Sequence, residues 1–311
     1  MPQDKDEKTV IPKEDITIVL PTLNEEKAIG KVIDELLSEG YTNILVIDGY
    51  STDRTVEIAR SKGVKVIYQR GKGKAGAIKT AIEMVETPYM LVMDADYTYD
   101  PRDIEKLLRH AEYDEVIGLR KDRGNIPLLH RIGNKIISST LSLLIGQRVS
   151  DPCSGMYLLK TESARKLEIL SEGFDVEAEI VGEMLTQGKV TEVPISYRKR
   201  EGENKLRSWR DGMRIMLTVF KVAWLYNPVL FLSAIGSILA IPGIVILVWQ
   251  LYIRYMYGAE RWSFGWAWLG LILLVIGLQS FTIATISLLL KRLERRILHH
   301  RIHSVAFRQA P

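Results

Sequence analysis

Two aspartates separated by one residue form the pair of side chains best placed for chemistry. Asp94 and Asp96 flank Ala95 and follow the apolar stretch 89–93, which predicts a buried strand. Carboxylates on one side of an extended segment can hold a hard divalent cation such as Mg²⁺, which keeps several waters and shares substrate phosphates. Such a cation neutralises the charge that develops on a phosphate leaving group. The pair therefore predicts a cation site that also receives a phosphorylated substrate.

A loop rich in glycine and lysine lies between a predicted strand and a predicted helix. Residues 71–76 read Gly-Lys-Gly-Lys-Ala-Gly, which matches the G-x-G-x-x-G fingerprint of dinucleotide sites. Three features disfavour that interpretation: the loop follows the third strand, two lysines fill a turn that is usually small and neutral, and the later acidic residues come as a pair. We expect Lys72 to approach substrate phosphates, with a solvated turn as the alternative.

Short apolar stretches alternate with longer helical patterns in the first third of the chain. Strands are predicted at 16–20, 44–47, 64–68 and 89–93, with helices at 24–38, 53–62 and 75–85 between them. This alternation predicts an α/β fold with a doubly wound, mostly parallel sheet. Ligands of such sheets bind at the carboxyl ends of the strands, so we expect Asp48, Asp94 and Asp96 to share one edge.

The middle of the chain is less regular. An arginine-rich loop, 120–131, precedes a helix with Ser138 and Ser139, and strands are predicted at 156–159 and near 190–197. Glu177 and Glu179, on a predicted helix, are candidates for polar contacts to a substrate, with ordinary surface carboxylates as the alternative.

Residues 208–225 predict an amphipathic helix with one apolar side. Five apolar residues form that side: Met213, Met216, Leu217, Phe220 and Trp224. Such a helix can lie in the plane of a membrane surface; a helix packed on the preceding domain is the alternative.

Two long uncharged stretches, 229–253 and 264–290, are each long enough to cross a bilayer. Basic residues are denser beyond the outer ends of this hairpin than in its loop, and the positive-inside rule then places both termini in the cytoplasm. The polar residues 1–14 contain no signal-peptide pattern, and the single cysteine, Cys153, excludes an intramolecular disulfide. We predict a multi-pass cell-membrane protein with membrane lipid around it. The net charge of +4 does not indicate a nucleic-acid partner.

Five motifs together resemble family 2 glycosyltransferases, and most of all the dolichyl-phosphate sugar synthases. They occur in the family's order within residues 15–225: Pro21-Thr22-Leu23-Asn24-Glu25-Glu26, Asp48-Gly49-Tyr50-Ser51-Thr52-Asp53, Gly71-Lys72-Gly73, Asp94-Ala95-Asp96 and Asp151-Pro152-Cys153-Ser154-Gly155. The paired C-terminal stretches and Gly-Tyr-Ser-Thr-Asp resemble archaeal enzymes that load the first sugar onto dolichyl phosphate for protein N-glycosylation. The resemblance implies a polar tail at 1–14, a GT-A-like catalytic domain at 15–206, an interface helix at 207–226, two transmembrane helices within 227–290 and a basic cytoplasmic tail at 291–311.

The resemblance also implies roles for individual residues. The nucleobase and ribose of a nucleotide sugar would meet Pro21, Leu23, Glu25 and Asp48. Asp94, Ala95 and Asp96 would hold ribose, diphosphate and Mg²⁺ or Mn²⁺. The phosphate of a polyprenyl or dolichyl acceptor would meet Arg120, Arg131 and Ser139, which we count with the two aspartates as catalytic. The donor diphosphate would meet Lys205 and either Arg198 or Arg200.

Thr98 stands where dolichyl-phosphate mannose synthases often carry a glutamine that joins the metal shell. We therefore take Thr98 as a third candidate ligand, and we favour UDP-glucose or UDP-N-acetylglucosamine as donor over GDP-mannose, which stays the alternative. A lipid monophosphate is already anionic near neutral pH, so it can attack the anomeric carbon without a strong base, and positioning and electrostatics dominate catalysis. Single displacement inverts the anomeric centre.

Three other classes of protein fit the sequence less well. A processive polysaccharide synthase would carry Gln-x-x-Arg-Trp and more spans. A non-catalytic membrane scaffold would be expected to lose the acidic pair, whereas Asp94 and Asp96 are intact. A soluble oxidoreductase is disfavoured by the apolar hairpin. Whether the chain forms a homo-oligomer is left open by the sequence.

Overall fold

The computed structural model describes residues 11–308 except 122, 127, 174, 202–207 and 227. The chain divides into two compact units, Met1–Val222 and Ala223–Pro311. The described part of the first unit contains a seven-stranded sheet in the order β3-β2-β1-β4-β6-β5-β7. Its strands are β1 Ile16–Thr22, β2 Ile44–Asp48, β3 Lys65–Tyr68, β4 Tyr89–Met93, β5 Glu115–Arg120, β6 Met156–Lys160 and β7 Val190–Ile195.

The helices around and beyond the sheet follow in chain order. They are α1 Ile29–Ser38, α2 Thr55–Ser61, α3 Gly73–Met84, α4 Ile104–Leu108, α5 Leu128–Ile145, α6 Thr161–Ala164, α7 Val176–Gln187, α8 Ser208–Tyr226, α9 Pro228–Tyr257 and α10 Phe264–Arg308. Short 3₁₀ turns lie at Lys13–Asp15, Pro101–Asp103 and Arg123–Asn125.

Strands β1 to β4 are mutually parallel, and this confirms the predicted doubly wound sheet. In the register of β1 and β2, Thr22 lies opposite Asp48, so the carboxyl ends of these strands meet at one edge. Strand β6 runs antiparallel to both β4 and β5, which brings residues 151–155 back to the end of β4. Strand β5 was not predicted, because its six residues carry charge at both ends and a glycine at the fourth position.

Alternating side chains of the strands pack two layers of helices onto the sheet. Ile18 of β1 packs in a core cluster with Ile33 of α1, whereas its neighbour Val19 packs on the opposite face with Ile78 of α3. Helix α4 joins the first cluster and α7 the second. Burial on both faces explains why these strands read as continuous apolar runs.

Helix α8 has a buried face and an exposed apolar face within the described residues. Val219 is fully buried, and the Thr218 hydroxyl donates a 2.7 Å hydrogen bond to Asp175 Oδ2. Leu217 and Phe220 are instead 61% and 41% exposed. The apolar side predicted from the sequence is therefore mostly solvent-facing in this chain, and its contact with a membrane surface stays a prediction.

The second unit contains two helices that are long and apolar enough to cross a membrane, Pro228–Tyr257 and Phe264–Leu290. Glycines let α9 and α10 approach closely. A Cβ added to Gly243 would lie 2.7 Å from Leu274 N and 2.8 Å from Gly270 O. A Cβ on Gly277 would lie 2.8 Å from Gly236 O. Small residues of this kind allow close backbone contact between membrane helices.

Candidate functional site

The acidic pair lies directly after β4, at the edge where β1 and β2 also end. The Asp94 N–H donates to Gly155 O at 3.1 Å, and its carboxylate lies against Gly155, where a Cβ would come within 2.0 Å of Asp94 Oδ2. Only glycine at position 155 leaves room for this carboxylate. Ala95 is buried and Tyr97 adopts a positive φ of 70°, so the chain turns sharply after the strand.

Asp96 is almost enclosed and is held from two sides. Thr98 donates to Asp96 Oδ1 through its hydroxyl at 2.5 Å and its N–H at 3.1 Å, while Arg200 Nη1 donates to Oδ2 at 2.8 Å. Arg200 also donates through Nη2 to Glu25 Oε1 at 2.7 Å. Burial, followed by the charge of Asp94, raises the pKa of Asp96, and Arg200 opposes that shift.

Lys74, in the first turn of α3, reaches the other aspartate. Its Nζ lies 2.5 Å from Asp94 Oδ1 and also pairs with Glu177 of α7. Burial opposes the charge of the ammonium group, but the two carboxylates outweigh burial and hold the pKa of Lys74 above its ordinary value. This ion-paired trio was not predicted from the sequence.

The segment after β7 lies along the loop that follows the acidic pair. Arg198 N donates to Thr98 O at 2.7 Å, and Glu201 N donates to Asp96 O at 3.1 Å. The Arg198 guanidinium pairs with Glu35 and Asp100, each at 2.7 Å. Arg198 and Arg200 were the two alternatives predicted at the donor diphosphate. Arg200 contacts the acidic pair directly through Asp96, whereas Arg198 pairs with Glu35 and Asp100 instead.

The predicted nucleobase and ribose residues lie around the ends of β1 and β2. Asp48 is fully buried, and its carboxylate accepts hydrogen bonds from Ser51 N at 2.8 Å and Ser51 Oγ at 2.5 Å. Glu25 is buried beside Arg200, Leu23 is 43% exposed, and Pro21 is the sixth residue of β1. The structure thus brings Glu25 to the acidic pair and leaves Leu23 as an exposed apolar side chain.

The glycine–lysine loop turns through positive φ at Gly71 and Gly73, 90° and 59°. Gly73 packs against the chain at Glu172, whose carbonyl oxygen would lie 2.1 Å from an added Cβ. Lys72 precedes α3 in extended conformation and is exposed. The structure therefore fixes the position of Lys74 tightly and leaves Lys72 open to solvent.

The predicted acceptor residues occupy β5 and α5. Arg120 binds Asp151 in a bidentate manner, Nε to Oδ2 at 2.7 Å and Nη2 to Oδ1 at 2.6 Å, with its guanidinium 5.3 Å from the Tyr197 ring. Arg131 Nε is buried and has no hydrogen-bond partner among the residues that the structure describes. Ser139 is exposed on α5. Among the three residues predicted to meet the acceptor phosphate, Arg131 thus has a buried N–H group that could donate a hydrogen bond to an anion.

Three further predictions have different outcomes. Thr98 is buried and donates its hydroxyl to Asp96, so it orients that carboxylate; its role as a metal ligand stays a prediction. Lys205 lies outside the described residues. Glu177 and Glu179 are 5% and 3% exposed, so the alternative of surface carboxylates is wrong. Glu179 accepts hydrogen bonds from Leu170 N and Ser171 N, both at 2.9 Å, and thereby holds that loop.

The donor set fits a cation that arrives with a phosphorylated ligand. Within the described part of the chain, no group of three or more His, Cys, Asp or Glu side chains could hold a metal ion. Asp94 and Asp96 supply carboxylates alone, and the remaining positions of Mg²⁺ or Mn²⁺ would be filled by water and phosphate oxygens. Side-chain exposure of Asp94, at 30%, leaves one face of the pair accessible to such a ligand.

Comparison with known proteins gives concordant matches. Residues 17–167 match the family described as Glycosyl transferase family 2. Glycosyltransferase AglJ of Haloferax volcanii is 35% identical over 249 residues, which are 77% of this chain and 81% of that protein. Dolichyl-phosphate hexose transferase of the same organism is 34% identical over 216 residues, 67% of this chain and 94% of that protein.

A solved structure shares the fold of this chain over part of its length. Glucosyl-3-phosphoglycerate synthase of Mycobacterium tuberculosis, in complex with Mn²⁺, uridine diphosphate and glucosyl-3-phosphoglycerate, superimposes with a TM-score of 0.56. The match covers 67% of this chain and 79% of that chain at 21% identity. Similarity at this level shows a common fold, which confirms the predicted GT-A-like architecture.

Proposed function

The chain belongs to glycosyl transferase family 2, and we propose that it transfers a sugar from a nucleotide-diphosphate sugar to a polyprenyl phosphate such as dolichyl phosphate. The observation that carries the proposal is the acidic pair at the strand edge, whose two carboxylates are held by Lys74 and Arg200. The relative named dolichyl-phosphate hexose transferase, similar over 94% of its length, supports the acceptor class.

Positioning and charge account for the reaction. A bound Mg²⁺ or Mn²⁺ would be held by Asp94 and Asp96 and would supply positive charge at the leaving diphosphate. Arg200, held by Asp96 and Glu25, adds a fixed cation beside that pair. The acceptor phosphate attacks the anomeric carbon directly, since it is anionic without a general base. One displacement inverts the anomeric centre, so an α-linked donor gives a β-linked lipid product.

Arginine side chains suit the acceptor phosphate because the guanidinium group binds two oxygens at once. Arg131 offers its buried Nε–H. Arg120 is engaged by Asp151, and we propose that it contributes mainly by holding the 151–155 segment against Asp94 and secondarily by its charge. Ser139, exposed about two turns after Arg131 on α5, completes the proposed acceptor side.

A UDP-sugar, glucose or N-acetylglucosamine, is the donor we propose. Thr98 binds Asp96 and is shorter than the glutamine of many mannose synthases, which favours a metal shell unlike theirs. The product, a lipid-phosphate-linked sugar, suits protein N-glycosylation or cell-surface glycans. The apolar hairpin and the exposed side of α8 support placement at a membrane, where the acceptor is found.

A donor panel tests this function. Purified full-length protein is given Mg²⁺, dolichyl phosphate and radiolabelled UDP-glucose, UDP-N-acetylglucosamine or GDP-mannose in separate reactions, with EDTA added to a parallel set. We expect one UDP-sugar to label the lipid and EDTA to abolish the label. Label from GDP-mannose alone would overturn the donor assignment, and no label from any donor would overturn the function.

A further inference from the structure

The trio formed by Lys74, Asp94 and Glu177 links the acidic pair to helix α7. Lys74 Nζ lies 2.5 Å from Asp94 and pairs with Glu177, and the Lys74 and Glu177 side chains are only 10% and 6% exposed. Lys74 is the second residue of α3, where the helix dipole disfavours a cation. The ammonium group of Lys74 can therefore stay charged while buried only because the carboxylates of Asp94 and Glu177 compensate its charge.

The surrounding structure holds this lysine in place. Gly73, which precedes it, packs against Glu172 so closely that a Cβ would meet the carbonyl oxygen at 2.1 Å. The same segment is tied to α7 by hydrogen bonds from Ser171 N and Oγ to Glu179, and to α3 by a 3.2 Å bond from Lys79 Nζ to Ser171 O. Helices α3 and α7 thus fix the ammonium group and Glu177 relative to Asp94.

The arrangement divides the charge of one lysine between two carboxylates. With both carboxylates ionised the trio carries a net charge of −1, so Asp94 keeps part of its attraction for a cation. Without Glu177, the ammonium group would neutralise Asp94. Without Lys74, the partly exposed Asp94 and the buried Glu177 would carry a charge of −2 and would attract a divalent cation more strongly, because charges interact more strongly where the dielectric is low.

We propose that Lys74 and Glu177 are positioning residues that together set the affinity of Asp94 for the divalent cation: Lys74 competes with the cation for Asp94, and Glu177 limits that competition. The inference rests on the metal-dependent function proposed above. Because Lys74 weakens binding of the cation alone, the cation binds tightly only when a nucleotide diphosphate supplies further oxygens.

Direct Mn²⁺ binding to the purified full-length protein tests the proposal without reference to turnover. Free Mn²⁺ is followed by electron paramagnetic resonance during titration, with and without UDP, for Lys74→Met, Glu177→Gln and the double variant. We expect Lys74→Met to tighten Mn²⁺ binding about tenfold in the absence of UDP and Glu177→Gln to weaken it about tenfold. The double variant keeps the net charge of −1 and should bind Mn²⁺ as the wild type does.

Opposite shifts distinguish this role from a merely structural one, which would weaken binding in both single variants. Lys166→Met is the matched control: it removes an exposed lysine that pairs with Glu162 and takes no part in the trio or in the contacts that hold it, so it should bind Mn²⁺ as the wild type does. If Lys74→Met does not fold, the comparison of Glu177→Gln with the double variant decides, since weakened binding must be rescued.

The controls also separate this inference from the proposed function. Shifts of both single variants in one direction, or no rescue in the double variant, would overturn the inference even if the wild type transfers sugar. Opposite shifts of the two single variants would uphold the inference even if the wild type labels no lipid. The absence of label would in that case overturn the function alone. A wild type that binds no Mn²⁺ with UDP would overturn both.

Discussion

Asp96 is a buried carboxylate held by hydrogen bonds on both of its oxygens. Thr98 holds one carboxylate oxygen and Arg200 the other, and the side chain is only 7% exposed. An asparagine at this position could keep an oxygen for the Thr98 N–H while losing the negative charge. The chemistry and the folding role of Asp96 can therefore be separated experimentally.

We predict that Asp96→Asn lowers sugar transfer at least about 100-fold, because the cation at the diphosphate loses a charged ligand. Its melting temperature, followed by circular dichroism, should change little. Asp34→Asn is the control, since Asp34 is an exposed carboxylate paired with Lys62, and it should retain transfer. Wild-type transfer by Asp96→Asn would contradict the assignment of the metal site.

Glu115 is a second buried carboxylate, far less well satisfied. Neither of its oxygens has a hydrogen-bond partner among the described residues. Burial, with a smaller contribution from Glu192, raises the pKa of Glu115 to about 8. The folded protein therefore binds more protons than the unfolded chain between the ordinary pKa of a glutamate and about 8, so the free energy of unfolding falls as pH rises through this window.

We predict that Glu115→Gln removes this pH dependence. At pH 9 the variant should gain roughly 2–4 kcal/mol relative to the wild type, less the cost of burying an unpaired amide, and at pH 5 it should gain none. Thermal unfolding between pH 5 and pH 9 measures the difference. Glu162→Gln, an exposed control, should follow the wild-type profile. Parallel profiles for Glu115→Gln and the wild type would exclude a raised pKa.

The partners of these carboxylates explain what the sequence left unpredicted at the residue scale. The spacing of Asp94 and Asp96 after an apolar strand was enough to predict that both reach the strand edge. It could not show that Lys74 and Arg200, twenty residues before Asp94 and 104 residues after Asp96, would occupy them, because those contacts depend on packing between distant segments. The burial of the glutamates on α7 could likewise not be predicted from the sequence, since a carboxylate in a helix usually faces water.

At the scale of elements, the sequence predicted strands well where apolar runs were continuous. Strand β4 has the predicted ends, and β1 extends past its predicted end through Pro21 to Thr22. Helix α1 begins at Ile29 rather than Asn24, because Asn24 adopts a positive φ of 52°. The next residue, Glu25, donates its N–H to the Thr55 hydroxyl instead of starting the helix. Strand β5 needed tertiary information: Gly118 fits closely under Ile195 of β7.

Packing of α9 against α10 gives the prediction at this scale. Gly243→Leu would place side-chain atoms against the backbone of Leu274 and Gly270, so the helices must separate, and we expect a loss of about 1–3 kcal/mol in stability. All six tryptophans lie between positions 209 and 268, so tryptophan fluorescence during thermal unfolding in detergent reports on this part of the chain.

Gly265→Leu is the matched control for Gly243→Leu. A Cβ at Gly265 would have only Ser263 Oγ within 4 Å, at 3.9 Å, and the control should unfold as the wild type does. Equal stability of both variants would mean that close glycine contacts do not hold the two helices together.

At the scale of the whole molecule, hydropathy alone located the two long apolar helices, because uncharged runs of this length are rare in soluble chains. The order of motifs along the chain indicated the family, and the match of residues 17–167 agrees with it. Neither pattern fixes the side of the membrane on which the first unit lies. That assignment depends on the distribution of basic residues around the hairpin.

We predict that the first unit is cytoplasmic and that the short loop between α9 and α10 faces the opposite side. The test uses a Cys153→Ser background, since Cys153 is the only cysteine, with single cysteines introduced as Glu260→Cys in the loop and Arg54→Cys on an exposed part of the first unit. A membrane-impermeant maleimide should label Glu260→Cys on intact cells and Arg54→Cys only after permeabilisation, because two spans return the chain to its starting side. The reverse pattern would invert the orientation and place the acidic pair away from cytoplasmic nucleotide sugars. Labelling of both positions on intact cells would show that α9 and α10 do not form a spanning hairpin.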